Sequence, residues 1–188
     1  MTIWTCKGPL AAFGVMLLTA CEGGQGLGAS SGAAKPPLSR AKMAGGVELV
    51  APDGFCIDQT SLEARFAVIA RCDGLGAPAS AGAAPRGLIT VSLTQSKPGS
   101  LPSAQQIAAE TSLQNVSDVE KGDQSITFRA QGRIPVGGLS PNQWRGVARM
   151  GTQTAGIAVY GPERGEIVSA SGRRVLTQLI TRSIDASA

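Results

Sequence analysis

The sequence predicts an α+β domain: an antiparallel sheet with a short helix and a C-terminal helix packed on one face. Three observations carry this. The stretch LITVSLTQ (88–95) is β-branched and alternates, as a half-buried strand does. Apolar residues Val175, Leu176, Leu179, Ile180 and Ile184 recur at i, i+1, i+4, i+5 and i+9, which makes a helical stripe near the end of the chain. The order of elements is strands, a short helix, a run of hairpin-spaced strands, then the final helix, and helices segregated from an antiparallel sheet define the class.

The elements follow in order from about residue 47. VELVA (47–51) is a short apolar run stopped by the turn signal Pro52-Asp53-Gly54, and FCID (55–58) is a brief second strand. RFAVIARC (65–72) is charged at its ends and apolar between them, the mark of a strand. DGLGAPASAGAAPRG (73–87) is low in complexity and reads as a loop. After strand 88–95, Ser103 and Gln106 stand at capping-box spacing, with Ala104, Ile107, Ala108 and Thr111 at helical spacing behind them. LQNVSDVE (113–120) and QSITFRAQGR (124–133) form a hairpin around Lys121-Gly122-Asp123, and NQWRGVARMG (142–151) and TAGIAVYG (154–161) form another. The final helix covers about 171–184, with Arg173, Arg174 and Arg182 off its apolar stripe. This order is similar to the layout of PsbP- and Mog1-like sandwiches, a resemblance of layout without a shared motif, and a fold does not name a function.

Ahead of this domain the composition changes. Gly8 to Ala20 is a run of 13 uncharged residues behind a short segment bearing Lys7. A membrane-spanning helix needs about 20 apolar residues, so the run has the length of a signal-peptide hydrophobic region. Leu18-Thr19-Ala20-Cys21 resembles the lipobox of bacterial lipoproteins. That resemblance implies cleavage before Cys21, a diacylglycerol on its thiol and acylation of the new amino group. Each acyl chain adds about 0.8 kcal/mol per buried CH₂, so two or three hold a protein on a bilayer. It also implies a bacterial envelope location, facing the periplasm, and Glu22 in place of an aspartate leans toward the outer membrane. Residues 22–46 are rich in Gly, Ala, Ser and Pro and read as a flexible tether of about 25 residues, with a mean span of about 25 to 30 Å. The expected division is a signal peptide at 1–20, an acylated N-terminus and tether at 21–46, and the α+β domain at 47–188.

The chain contains no histidine. Ser-His-Asp and Cys-His catalysis, HExxH zinc sites and histidine metal ligands therefore have no basis in it. Asp53, Asp58 and Glu63 lie close in sequence, and Glu163 and Glu166 frame another loop; paired carboxylates of this kind are what an acid/base hydrolase would use. Asp53 in Pro-Asp-Gly, however, is also what a turn requires. No cofactor and no metal is expected beyond the covalent lipid.

Of the four cysteines, Cys6 leaves with the signal peptide and Cys21 takes the lipid, which leaves Cys56 and Cys72. An even pair in an exported chain is expected to form a disulfide. The alternatives, a metal pair or a redox couple, lack histidine partners and a CxxC motif.

The arginines are the remaining candidates. Strand alternation puts Arg129 and Arg133 opposite Ile126, Phe128 and Ala130, and puts Arg145 and Arg149 opposite Trp144, Gly146, Ala148 and Met150. If the two strands pair, the four guanidinium groups are expected on one polar sheet face, with Arg65 and Arg71 extending it. Such a patch suits phosphate or carboxylate partners, such as lipid headgroups, lipopolysaccharide or an acidic protein. Loss of Lys7 leaves 16 basic against 13 acidic residues, a modest excess that a solvated face also explains. Nucleic acid is not an expected partner, since export separates the two and no aromatic stacking set accompanies the arginines. The expectation is thus a membrane-anchored, non-enzymatic binding or accessory module. A carboxylate hydrolase and a purely structural lipoprotein are the alternatives.

Overall fold

The computed structural model describes residues 35–77 and 84–188. The expected signal peptide, Cys21, Glu22 and residues 23–34 of the expected tether lie outside the described residues, as does the middle of the 73–87 loop.

Two meanders build the main sheet. In the first, β3 (Phe55–Ile57), β4 (Phe66–Arg71) and β5 (Leu88–Gln95) are consecutive antiparallel neighbours. Helix α1 (Ala104–Glu110) then carries the chain to the far edge, where β6 (Gln114–Lys121), β7 (Ser125–Gln131), β8 (Asn142–Met150) and β9 (Gln153–Tyr160) run back. β9 pairs with β5 along its whole length, from Leu88↔Tyr160 to Gln95↔Gln153, which closes a seven-stranded antiparallel sheet in the order β3-β4-β5-β9-β8-β7-β6. Helix α2 (Ala170–Ala186) ends the fold.

The domain begins earlier than residue 47. β1 (Arg40–Lys42) pairs with β2 (Glu48–Val50) in a separate two-stranded ribbon, and Leu38 bridges to Ile57. The connection turns through Gly45 and Gly46 at φ +70° and +78°, a left-handed region that glycine enters without a Cβ clash. Gly45 is also pressed against Gln153, whose Nε2 would stand 2.4 Å from an added Cβ. Residues 38–46 therefore belong to the folded unit, not to a tether. The sequence conceals this strand because β1 buries only Ala41, between the exposed Arg40 and Lys42.

The class is as expected, but the helices take opposite faces of the sheet. α1 starts at a capping box: Ser103 Oγ accepts from Gln106 N at 3.2 Å and Gln106 Oε1 accepts from Ser103 N at 2.8 Å. It lays Ala104, Ile107 and Ala108 on Ile126, Phe128 and Ala130. α2 buries Leu176, Leu179 and Ile180 on the other side, against Trp144, Ala148 and Met150. Full burial of each such aliphatic side chain stabilises by about 1.5–3 kcal/mol. Trp144 Nε1 also donates to the Ser169 carbonyl at 2.7 Å, which fixes the start of α2. Over β7 and β8 the sheet is thus covered on both sides, while the edge strand β6 is exposed along most of its length. Over β4 and β5 only the α2 side is covered.

Candidate binding groove

Of the acidic candidates, Asp53 and Asp58 are engaged in local structure. Asp53 receives Arg182 Nη1 at 2.8 Å, Arg182 Nη2 at 3.0 Å and Gln178 Nε2 at 2.6 Å, so it ties the Pro-Asp-Gly turn to α2. These bonds hold its carboxyl below the usual aspartate range, Arg182 being the largest cause. Asp58 accepts from Thr60 N at 2.9 Å and from Thr60 Oγ1 at 2.8 Å, the geometry of an Asx turn, and these bonds also lower its pKa. Glu63, Glu163 and Glu166 are exposed. Among the described residues, no group of three or more Cys, Asp and Glu side chains is placed to hold a metal ion.

Cys56 and Cys72 are joined, with Cα atoms 4.8 Å apart. Cys56 lies on β3 and Cys72 directly follows β4, so the bond staples the short edge strand β3 to its neighbour. Arg71 pairs with Asp73 beside it.

The four arginines do not share a face. Parity along each strand is as read, but the register sets Arg129 opposite Trp144 and Arg145 opposite Phe128. Directly paired residues project to the same side of a sheet. Arg129 therefore lies on the α2 side, Arg145 and Arg149 lie on the α1 side, and Arg133 is exposed in the loop after β7. The expected patch assumed that two polar faces would match, whereas both faces of this part of the sheet are buried under helices and each accommodates arginines at its margin.

What the structure assembles instead is a groove of about 560 Å³ between the segment leading into α1 and the β6–β7 hairpin. Leu101, Pro102, Val119 and Ile126 supply apolar surface, and Lys121, Asp123 and Arg149 supply charge. Val119 is 48% exposed, although it is a valine in a strand. Arg149 donates through Nη2 to the Gly99 carbonyl and so holds the segment in place. The neighbouring edge strand β6 is irregular, with register shifts either side of Ser117 and with Asn115 and Asp118 at φ +53° and +51°. Such bulges bend an edge and discourage pairing with another chain along its length, so the groove, not the strand edge, is the concave feature at this end of the sheet. Sequence reading located Arg149 and the Lys121-Gly122-Asp123 turn but not the groove. The only signal for it is Leu101-Pro102 ahead of the capping box, two apolar residues with no place in a helix.

No protein-family model and no curated protein sequence matches the chain. Among solved structures, a Mog1 point mutant is similar to it with a TM-score of 0.48 and 14% identity, over 77% of this chain and 93% of that one. The Ran-binding protein Mog1p of Saccharomyces cerevisiae is similar with a TM-score of 0.49 and 13% identity, over 79% of this chain and 97% of that one. Similarity of this extent says nothing of partners.

Proposed function

We propose that the protein is a lipid-anchored binding module of a bacterial cell envelope. It is acylated at Cys21, faces the periplasm and holds a segment of an envelope protein without transforming it. The observation that carries the binding part is the groove beside α1, where apolar side chains and the cations Lys121 and Arg149 line one concavity. Mixed lining of this kind suits capture of a peptide segment: apolar contacts supply affinity, and a few polar groups fix orientation. The anchoring part rests on Leu18-Thr19-Ala20-Cys21 behind its short apolar run. The engagement of Asp53 and Asp58 in turns supports binding over carboxylate hydrolysis.

Two measurements test the reading. Intact mass of the protein from a membrane fraction should equal residues 21–188 plus diacylglycerol and acyl chains, and a Cys21→Ala variant should lack the lipid. An unlipidated wild-type mass would overturn the anchor. For the groove, the double variant Val119→Asp, Lys121→Glu should lose proteins that crosslink to the wild-type chain in intact cells, with its thermal unfolding unchanged. An unaltered crosslinking pattern would overturn the groove as the binding site.

A further inference from the structure

A second surface lies on the α1 side of the sheet, beyond the reach of α1. On β4 and β5 the residues that project there are Phe66, Val68, Ala70, Leu88, Thr90, Ser92 and Thr94, as the pairs Phe66↔Ser92, Val68↔Thr90 and Ala70↔Leu88 require. All seven are half-buried or exposed, and Phe66 is 37% exposed. Their neighbours on the opposite side, Ala67, Ile69, Ile89, Val91 and Leu93, are at most 3% exposed. One face of the same strands is therefore core, and the other is a platform of aliphatic and hydroxyl side chains, with Phe66 at one end, that no helix or strand among the described residues covers.

The platform is electrically neutral until its border. β9 continues it with the half-buried Thr154 and Gly156, again without charge; Ala158 and Tyr160 on the same side are buried, and on β8 the first charged group is Arg145. That guanidinium sits over the Tyr160 ring at 5.6 Å, a cation–π contact. It forms no ion pair among the described residues, and its buried Nε has no hydrogen-bond partner. Burial lowers its pKa, and the Tyr160 side chain offsets this only in part, as expected of a desolvated cation without a carboxylate partner. A half-buried arginine is ordinarily matched by an anion or by acceptors, and an unmatched one is destabilising.

We infer that the β4-β5-β9 platform docks a protein segment whose carboxylate, from an acidic side chain or a chain terminus, pairs with Arg145. The placement of charge favours a protein over a membrane. A polyanionic headgroup surface is met by several cations together, but Arg129 and Arg133 lie off this face, and Arg149 is engaged with the Gly99 carbonyl. Among the residues of β4, β5, β8 and β9, Arg145 is the one guanidinium on this side without a hydrogen-bonded or ion-pair partner, and a single such group at the border of an apolar, hydroxyl-bearing sheet matches one carboxylate on an otherwise uncharged segment. The inference deepens the binding-module reading and does not require the lipid.

The test uses the full chain in the cells that make it, with a photoreactive residue in place of Ser92. Illumination should yield an adduct to a protein segment that contains Asp, Glu or a C-terminus at the contact. The adduct should be lost in Arg145→Gln and retained at a reduced level in Arg145→Lys. A synthetic peptide of the mapped segment should bind the wild-type protein, and its amide-for-acid twin should bind about tenfold more weakly or worse. The peptide comparison decides the matter even if the Arg145 variants fold poorly. An adduct to lipid or to a phosphorylated polymer, a protein adduct indifferent to Arg145, an amide twin of equal affinity, or no adduct at all would overturn the inference. An Arg145-dependent adduct on a chain whose mass shows no lipid would overturn the anchor alone.

Discussion

Arg182 grips Asp53 through both terminal guanidinium nitrogens, at 2.8 and 3.0 Å, and so joins the turn before β3 to the last third of α2. The pair is solvent-exposed, with side chains 39% and 76% accessible, so its worth is that of a surface ion pair. Asp53→Asn should lower stability by about 0.2–1 kcal/mol at neutral pH in urea unfolding. The carboxyl is held below its unfolded value of about 3.9, so its contribution is complete above that pH and is lost as pH falls through the lower folded value. The variant and wild type should therefore converge in stability toward pH 2. A constant difference at all pH values would contradict the assignment.

Reduction of Cys56–Cys72 should cost about 3 kcal/mol, the chain-entropy value for a loop of this size. Urea unfolding with and without reductant, beside the Cys56→Ser, Cys72→Ser double variant, measures it. Equal midpoints would mean that the staple does not stabilise the fold.

Ser183, fully buried in α2, accepts the backbone N–H of Val50 at 3.0 Å through Oγ. In Ser183→Ala that buried donor has no partner, a loss of about 1–3 kcal/mol. Amide hydrogen exchange should accelerate at Val50 in the variant, and unchanged protection there would sink the account.

Gly172→Ala should be among the most damaging single-methyl additions. Its Cβ would lie 1.7 Å from the Ile167 carbonyl oxygen and 2.6 Å from Trp144 Cδ1, so backbone has to move, at about 1–3 kcal/mol or more. Gly137→Ala, with nothing within 4 Å of its Cβ, should change stability by about 0.5 kcal/mol or less. Thermal melts of the two separate packing at α2 from any general effect of losing a glycine.

Local patterns were legible in this sequence wherever one stretch of chain decides the outcome. LITVSLTQ is β5 from end to end, Ser103 and Gln106 form the capping box, and the stripe through Leu176, Leu179 and Ile180 is the buried side of α2. Relations between strands were not legible. The parity of Arg129 and Arg145 was read correctly on each strand, but a one-residue change of register moves every side chain of a strand to the other face. Nothing within SITFRAQGR or QWRGVARMG selects Phe128 over Arg129 as the partner of Arg145. β1 escaped notice for a different reason: Arg40-Ala41-Lys42 has no strand signal of its own and is ordered by pairing with Glu48–Val50. The groove and the platform are products of topology, since each is a place where α1 stops short.

The way the described chain enters its domain has a mechanical consequence. Leu38 and Ile57 exchange two backbone hydrogen bonds, Leu38 N to Ile57 O at 3.0 Å and Ile57 N to Leu38 O at 2.7 Å. Ile57 adjoins Cys56, which is bonded covalently to Cys72. A pull applied through the residues before Leu38 is thus passed to β3, across the disulfide and into the end of β4, where the load is shared with the central strands. β2 is restrained separately, by the hydroxyl of Ser183 in α2 at Val50 and that of Ser187 just past its end at Glu48. Tension at the front of the domain is spread over the sheet through one covalent crosslink before any core strand is asked to part from its neighbour.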